Sequence, residues 1–201
     1  MTRDRAWRLM CEQVEAPGLR RHMLAVEAAM RRYADRLGES VEEWGLAGLL
    51  HDFDWELHPT LEDHPAKGAA ILRGHGCPEK VVQAILSHNT RGSGVERSRP
   101  IDFALLACDE ITGLIVAATL VRPSKDIRDV QLKSLKKRWK EKAFAAAVDR
   151  QEVEEATADF SRECFEGGLD LWDHVQNVLA AMQGAAAELG LDGRLAQAET
   201  I

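Results

Sequence analysis

The chain has 201 residues, of which 45% are hydrophobic and 29% charged, so it can bury a sizeable core and is not intrinsically disordered. Four widely spaced cysteines exclude a disulfide scaffold and indicate free thiols in a reducing compartment. The net charge of −7 argues against binding to long nucleic acid. No signal peptide is visible, and the longest apolar run, residues 111–121, is too short to span a bilayer. We therefore expect a cytoplasmic protein that uses neither long nucleic acid nor a membrane.

Apolar residues recur three and four positions apart and aromatic residues make up only 5%, which predicts an all-α protein. Ser40 and Glu43 form a capping box, and the helix that follows leads into the doublet His51-Asp52. Asp149 and Glu152 form a second possible capping box. The predicted helices, in chain order, cover residues 2–14, 19–37, 40–52, 65–73, 79–88, 101–121, 133–144, 149–167 and 169–189, with loops at 53–63 and 89–100 and a loose tail after 190.

Two acidic residues lie where a helical protein should avoid them. His51-Asp52 closes a strongly apolar helix turn, and a carboxylate at a helix end opposes the macrodipole. Asp109 lies in the most apolar predicted helix, with no Lys or Arg within one turn. A bound metal ion would compensate the charge at both places.

Histidines supply the further ligands that such a metal needs. Imidazole and carboxylate together suit Mn, Fe, Co, Ni or Zn better than Mg or Ca. The histidines interpreted as further ligands are His22, His64 and His88. The remaining ones are interpreted as loop or core residues, and these are His58, His75 and His174.

The order H…HD…H…H…D over residues 19–114 resembles the HD superfamily of metal-dependent phosphohydrolases. Residues 64–72, HPAKGAAIL, look like the H-P-x-x-G-A-x-I-L segment of its binuclear branch, and residues 85–88, ILSH, resemble the next ligand histidine. The resemblance implies a helical bundle: a single HD-type domain over 1–201, with a metal-binding core at about 19–121 and a helical extension at about 122–190.

The resemblance also implies an enzyme that hydrolyses a small phosphorylated metabolite, such as a nucleotide. Two divalent transition metal ions would share Asp52, and a hydroxide bridging them would attack phosphorus. The remaining ligands would be His22, His51 and Asp109 on the first metal, and His64 and His88 on the second. Independently of the resemblance, Asp54 and Glu56 follow the doublet closely and are candidates for a general acid or base near the metals.

The chain departs from the family patterns at two places. Asn89 stands where the binuclear branch has a second histidine, and no G-Y-P follows, which argues against hydrolysis of cyclic di-GMP. The doublet is followed by residues 53–56, FDWE, rather than the I-G-K of the HDIG type.

Four cations are candidates for binding the substrate phosphates. Lys67 lies one turn after His64, and Arg91 lies in the loop after His88. Arg122 and Lys125 directly follow the helix that carries Asp109. The basic stretch at 133–142 is either a solvated helix face or part of the same anion site.

Two other functions stay open from the sequence. An HD-type oxygenase would use a related ligand set to hold two iron ions that activate oxygen. A non-catalytic module would use the metals only to hold the helices together. The sequence predicts no oligomeric state.

Overall fold

The computed structural model describes residues 1–198. Within this range the chain forms α-helices and no strand, which confirms the all-α prediction. The helices are α1 (Arg3–Gln13), α2 (Pro17–Leu37), α3 (Val41–Leu50), α4 (Gly68–Gly74), α5 (Glu79–His88), α6 (Thr90–Ser93), α7 (Pro100–Leu120), α8 (Leu132–Trp139), α9 (Arg150–Phe165), α10 (Leu171–Gly184) and α11 (Arg194–Ala198).

Short polar residues set the beginnings of several helices. The side chain of Ser40 accepts a hydrogen bond from the backbone N–H of Glu43, and Asp149 caps α9 in the same way by binding the N–H of Glu152. Both residues are therefore confirmed as N-caps, which is one half of each predicted capping box. Gly38 ends α2 in the left-handed conformation, with φ of 70°, where a glycine carries no steric penalty.

The chain divides into two compact units, and the boundary lies inside α7. The first unit is Met1–Leu106, and the second begins at Ala107. The sequence analysis took the chain as one domain and placed the end of its metal-binding core near residue 121. The description of the chain as one domain stays a prediction.

In the first unit, α2 packs along α3, and α1 and α5 also contact α3. Glu27 of α2 is buried in this layer, with only 3% of its surface exposed. Arg3 of α1 and Arg31 of α2 both donate to the Glu27 carboxylate, at 2.6 and 2.9 Å between the nearest N and O atoms, and Arg31 also donates to Glu42 of α3. This network compensates a buried charge and links the first three helices.

Several helix boundaries differ from the sequence prediction. Helix α4 begins at Gly68 rather than Pro65. The side chain of Asn89 donates a hydrogen bond to the His64 carbonyl, which would otherwise accept the first hydrogen bond of a helix that began at Pro65. Helix α8 ends at Trp139 rather than near Phe144.

In the segment after α8, the guanidinium of Arg150 binds the backbone carbonyls of Phe144, Ala145 and Val148. Helix α10 ends at Gly184, five residues before the predicted end, and the predicted loose tail contains α11. The predicted loop at 89–100 contains the short helix α6.

Helix α7 is longer than the apolar run seen in the sequence and has the length and composition of a membrane span. More than half of its most apolar window is buried inside the protein. Burial of this kind is usual for the core helix of a protein that does not enter a membrane, so α7 gives little support to a membrane span.

In the second unit, α10 contacts α8 and α9, and His174 of α10 is completely buried. Its Nε2 donates a hydrogen bond to the Ala107 carbonyl over 2.8 Å, and its ring lies edge-on to Phe160. Burial lowers the pKa of His174 to about 4, although the bond to the carbonyl works in the opposite direction. This histidine is part of the core, as the sequence predicted.

The pKa of His174 predicts an acid-sensitive stability. In the unfolded chain His174 is protonated below about pH 6.5, whereas in the folded chain it stays neutral down to about pH 4. The free energy of unfolding therefore decreases as the pH is lowered from about 6.5 to about 4. We expect metal-free wild-type protein to lose about 2–3 kcal/mol between about pH 7 and pH 4.5 through this group. His174→Gln keeps a donor for Ala107 and should lack this contribution in urea unfolding.

His75→Gln, at an exposed position, is the matched control and should keep the wild-type slope of stability against pH. Equal slopes for His174→Gln and the wild type would contradict the assignment.

Candidate metal centre

His22, His51 and Asp52 converge at the end of α3. The two Nε2 atoms lie 3.1 Å apart, and the Oδ2 atom of Asp52 lies 3.7 Å from Nε2 of His22 and 3.5 Å from Nε2 of His51. His51 is fully buried, whereas His22 and Asp52 are partly exposed. The three potential ligand atoms therefore all lie within 4.8 Å of one another.

His64 and His88 form a second group around the other oxygen of the same carboxylate. Their Nε2 atoms lie 3.0 Å apart, and the Oδ1 atom of Asp52 lies 3.1 Å from His64 and 3.7 Å from His88. Asp52 thus presents one oxygen to each pair of histidines. Each group of three can hold a metal ion.

The separation of the nitrogen atoms fits coordination of a transition metal. Two ligands that each lie ~2.1 Å from a metal and ~90° apart are about 3.0 Å from one another. The observed spacing of 3.0 and 3.1 Å matches this value. Imidazole nitrogen with carboxylate oxygen is also the donor set that Mn, Fe, Co, Ni and Zn prefer. The residues present therefore fit a divalent transition metal.

Hydrogen bonds on the far side of three imidazole rings orient them toward the centre. Nδ1 of His51 donates to the Gly48 carbonyl over 2.9 Å, Nδ1 of His88 donates to the Ile85 carbonyl, and Nδ1 of His64 donates to Asp54. A neutral ring with its proton on Nδ1 carries a lone pair on Nε2. These bonds consequently prepare the Nε2 atoms to bind a cation.

The protonation of the cluster without metal shows the same demand for positive charge. Burial alone would lower the pKa of His64, but the carboxylates of Asp52 and Asp54 raise it to about 9. Burial would raise the pKa of Asp52, but the surrounding histidines, His51 first, hold it well below its usual range. Without metal, a proton on His64 therefore supplies part of the positive charge that a metal ion would supply.

The close approach of α2 and α3 brings His22 and His51 together. A Cβ atom added to Gly48 would lie 2.7 Å from the backbone nitrogen of Glu27, so only glycine lets the two helices pack at this distance. His22 lies on α2, and His51 follows the last residue of α3. Gly48 also provides the carbonyl that binds Nδ1 of His51.

A comparison with protein families gives a match to the HD domain over residues 19–112. Residues 19–112 are therefore similar to the HD domain. HD domains bind divalent metals and are typical of metal-dependent phosphohydrolases. No match was found among the curated proteins or among the solved structures.

The match covers all six predicted metal ligands, and the geometry brings five of them together in the two groups that share Asp52. Asp109 is half-buried on α7 and belongs to the second unit of the chain. The hydroxyl of Thr112 donates a hydrogen bond to the backbone carbonyl of Asp109. Its role as a ligand within the HD domain stays a prediction.

The structure gives the two further acidic candidates other partners. Asp54 is completely buried and accepts a hydrogen bond from Nδ1 of His64 over 2.7 Å. Glu56 is exposed, and its two carboxylate oxygens accept hydrogen bonds from the backbone N–H groups of Glu15 and Ala16, which lower its pKa. The geometry therefore gives no support to Glu56 as a general acid or base, because it is engaged at the start of α2.

The four candidate phosphate ligands lie in different settings. Lys67 is exposed and pairs with Asp63 over 2.8 Å, and Arg91 is exposed on α6. In the second unit, Arg122 has a buried Nε with no hydrogen-bond partner in the described part of the chain, and Lys125 has a positive φ of 45°. Binding of substrate by these residues stays a prediction.

Asn89 contributes to the site in a way that the sequence did not reveal. Its side-chain Nδ2 donates to the carbonyls of Leu61 and His64, both over 2.7 Å, and its Oδ1 accepts from the N–H of Gly92. The asparagine therefore fastens the segment that carries His64 to the end of α5. Its position beside His88 was visible in the sequence, but its partners were not.

We expect Gly48→Ala to weaken both the fold and the metal centre. The added methyl group meets the backbone of Glu27 and must push α2 away from α3, at a cost of about 1–3 kcal/mol. Chemical unfolding should show this loss, and metal titration should show weaker binding at the position formed by His22 and His51.

Gly18→Ala is a matched control, since nothing lies within 4 Å of the added Cβ on the same helix α2. It should leave both properties close to those of the wild type. Unchanged metal binding by Gly48→Ala would show that the close helix approach is not needed at the centre.

Proposed function

We propose that the protein is a metal-dependent phosphohydrolase that acts on a small phosphorylated metabolite, with a nucleotide as the preferred class. The single observation that supports this function is the position of Asp52, whose two oxygens face two separate pairs of histidines. One carboxylate shared by two ligand groups is the arrangement of a binuclear centre, which suits phosphoryl transfer to water.

Two divalent transition metal ions, when bound, would activate water and neutralise the negative charge that develops on the phosphoryl group. His22 and His51 would hold one ion, and His64 and His88 the other. Asp109 is proposed as a further ligand of the first ion, and Asp52 as the ligand common to both.

The residues of the chain have separate tasks in this proposal. Asp52 contributes negative charge between the two positions, and its low pKa keeps it ionised in neutral solution. Bonds from the rings of His51 and His88 to backbone carbonyls fix their directions, so that little reorganisation is needed when substrate arrives. The buried surroundings of His51 and His64 exclude bulk water from one side of the centre.

Selection of substrate is assigned to groups around the centre. Trp55 is half-buried with its ring centroid 5.1 Å from that of His64, and it offers an aromatic surface for a nucleotide base. Lys67 and Arg91 are proposed to bind substrate phosphates in the first unit, and Arg122 and Lys125 in the second. A small substrate also agrees with the proposed cytoplasmic location without long nucleic acid or membrane as partners.

The proposed centre predicts two metal ions in each chain. Metal analysis after dialysis against limiting Mn, Co, Ni, Fe or Zn should give a stoichiometry of two for the wild type. His88→Ala should bind one ion, because it removes a ligand from one group only, and Asp52→Ala should lose affinity at both positions by at least about tenfold. One ion in the wild type would contradict the bridging role of Asp52.

The proposed reaction predicts hydrolysis that requires the same ligands. Nucleotides, dinucleoside polyphosphates and sugar phosphates would be screened for phosphate release with each metal. His51→Ala should reduce kcat/KM by at least about a hundredfold, since it removes a ligand of the activating ion. His75→Ala, at an exposed position outside the cluster, should keep wild-type activity.

The two other functions give different results in this experiment. A di-iron oxygenase would show oxygen consumption with iron and no phosphate release. A non-catalytic module would lose stability in Asp52→Ala without any reaction to lose. Either result would overturn the proposed hydrolase.

A further inference from the structure

Asp54 lies behind His64, on the side of the ring opposite to the metal-binding nitrogen. Its Oδ1 accepts the hydrogen bond from Nδ1 of His64 over 2.7 Å, and both side chains are almost completely buried. Nδ1 and Nε2 lie on opposite edges of an imidazole, so a group bound to Nδ1 cannot reach a substrate at Nε2 past the same ring. This position favours a role of Asp54 through the His64 ring over direct contact with a substrate.

The partner of His64 differs in charge from the partners of the neighbouring rings. Nδ1 of His51 and Nδ1 of His88 donate to backbone carbonyls, whereas Nδ1 of His64 donates to a carboxylate. A charged acceptor forms a stronger hydrogen bond than a carbonyl and makes the imidazole a better electron donor.

The other oxygen of Asp54 provides an independent observation. Oδ2 is buried and has no hydrogen-bond partner in the described part of the chain. A Cβ atom added to Gly68 would lie 2.4 Å from this oxygen, so the glycine leaves the space that the carboxylate occupies. Leaving a charged oxygen buried without a partner costs free energy, and a cation bound through His64 would offset that cost.

We propose that Asp54 is a positioning residue that holds His64 toward the second metal position and strengthens metal binding there, with Gly68 providing its space. The general acid or base role that the sequence suggested for Asp54 is replaced by this one. The inference rests on the proposed binuclear centre, since it concerns the affinity of one of the two positions.

Stepwise titration of the metal-free full-length protein with Co²⁺ or Zn²⁺ in a chelator-buffered solution tests the proposal. Asp54→Asn, which keeps the shape and loses the charge, should weaken the position formed by His64 and His88 by about 10-fold, and Asp54→Ala by about 100-fold. The position formed by His22 and His51 should change by less than about threefold in both variants. The d–d absorption of bound Co²⁺ reports the two steps separately.

Asp102→Asn is the matched control. Asp102 is also a buried carboxylate of the first unit, but it binds the guanidinium of Arg99 and the N–H groups of Ser98 and Arg99 rather than a histidine. This variant should lower the unfolding free energy of the metal-free protein and leave both metal affinities unchanged. The titrations would be run at about pH 7 and about pH 8.5, because Asp54 also favours the proton that competes for His64.

Weaker binding of the second ion at both pH values, with the first ion unaffected, supports the proposal. Unchanged affinity at the second position in folded Asp54→Asn overturns it, even though the wild type binds two ions. If Asp54→Ala fails to fold, Asp54→Asn and Gly68→Ala, which crowds the carboxylate without changing its charge, decide the result. Failure of the wild type to bind a second ion would instead overturn the proposed function.

Discussion

The two-sided carboxylate of Asp52 is the interaction on which the histidine cluster depends. Four imidazole nitrogens lie within 3.7 Å of its two oxygens, and three of these rings already use Nδ1 as a donor elsewhere. Lone pairs that converge in this way repel one another unless a cation lies between them. In the absence of metal, a proton on His64 meets part of this demand, and its pKa rises accordingly. The electrostatics of the folded chain therefore favour a bound cation at this cluster.

The backbone supports this concentration of ligands by close helix packing and by polar side chains that bind carbonyls. Gly48 lets α3 approach the backbone of α2, and this approach fixes the spacing between His22 and His51. Asn89 performs the corresponding task on the other side, because it binds the His64 carbonyl and so holds that residue near His88. The Glu27 network keeps α1, α2 and α3 together at a distance from the metal ligands. Each ligand pair thus depends on one short-range backbone contact.

The local part of this arrangement could be predicted from the sequence. Helical periodicity and the capping residues Ser40 and Asp149 located most helices, and the His51-Asp52 doublet located the centre of the histidine cluster. What could not be predicted depends on residues distant in the chain. The start of α4 is set by Asn89, and the packing at Gly48 by the backbone of Glu27. The hydrogen bonds from the backbone N–H groups of Glu15 and Ala16 to Glu56 also join residues that are distant in the chain.

The imidazole rings of the cluster differ in the group that accepts a hydrogen bond from Nδ1. Nδ1 of His51 donates to the neutral carbonyl of Gly48, whereas Nδ1 of His64 donates to the carboxylate of Asp54. The carboxylate places negative charge directly behind His64 and makes its ring a better electron donor. If the proposed metal binds at His64, this charge would help the ring to hold the ion against the proton that competes for the same nitrogen.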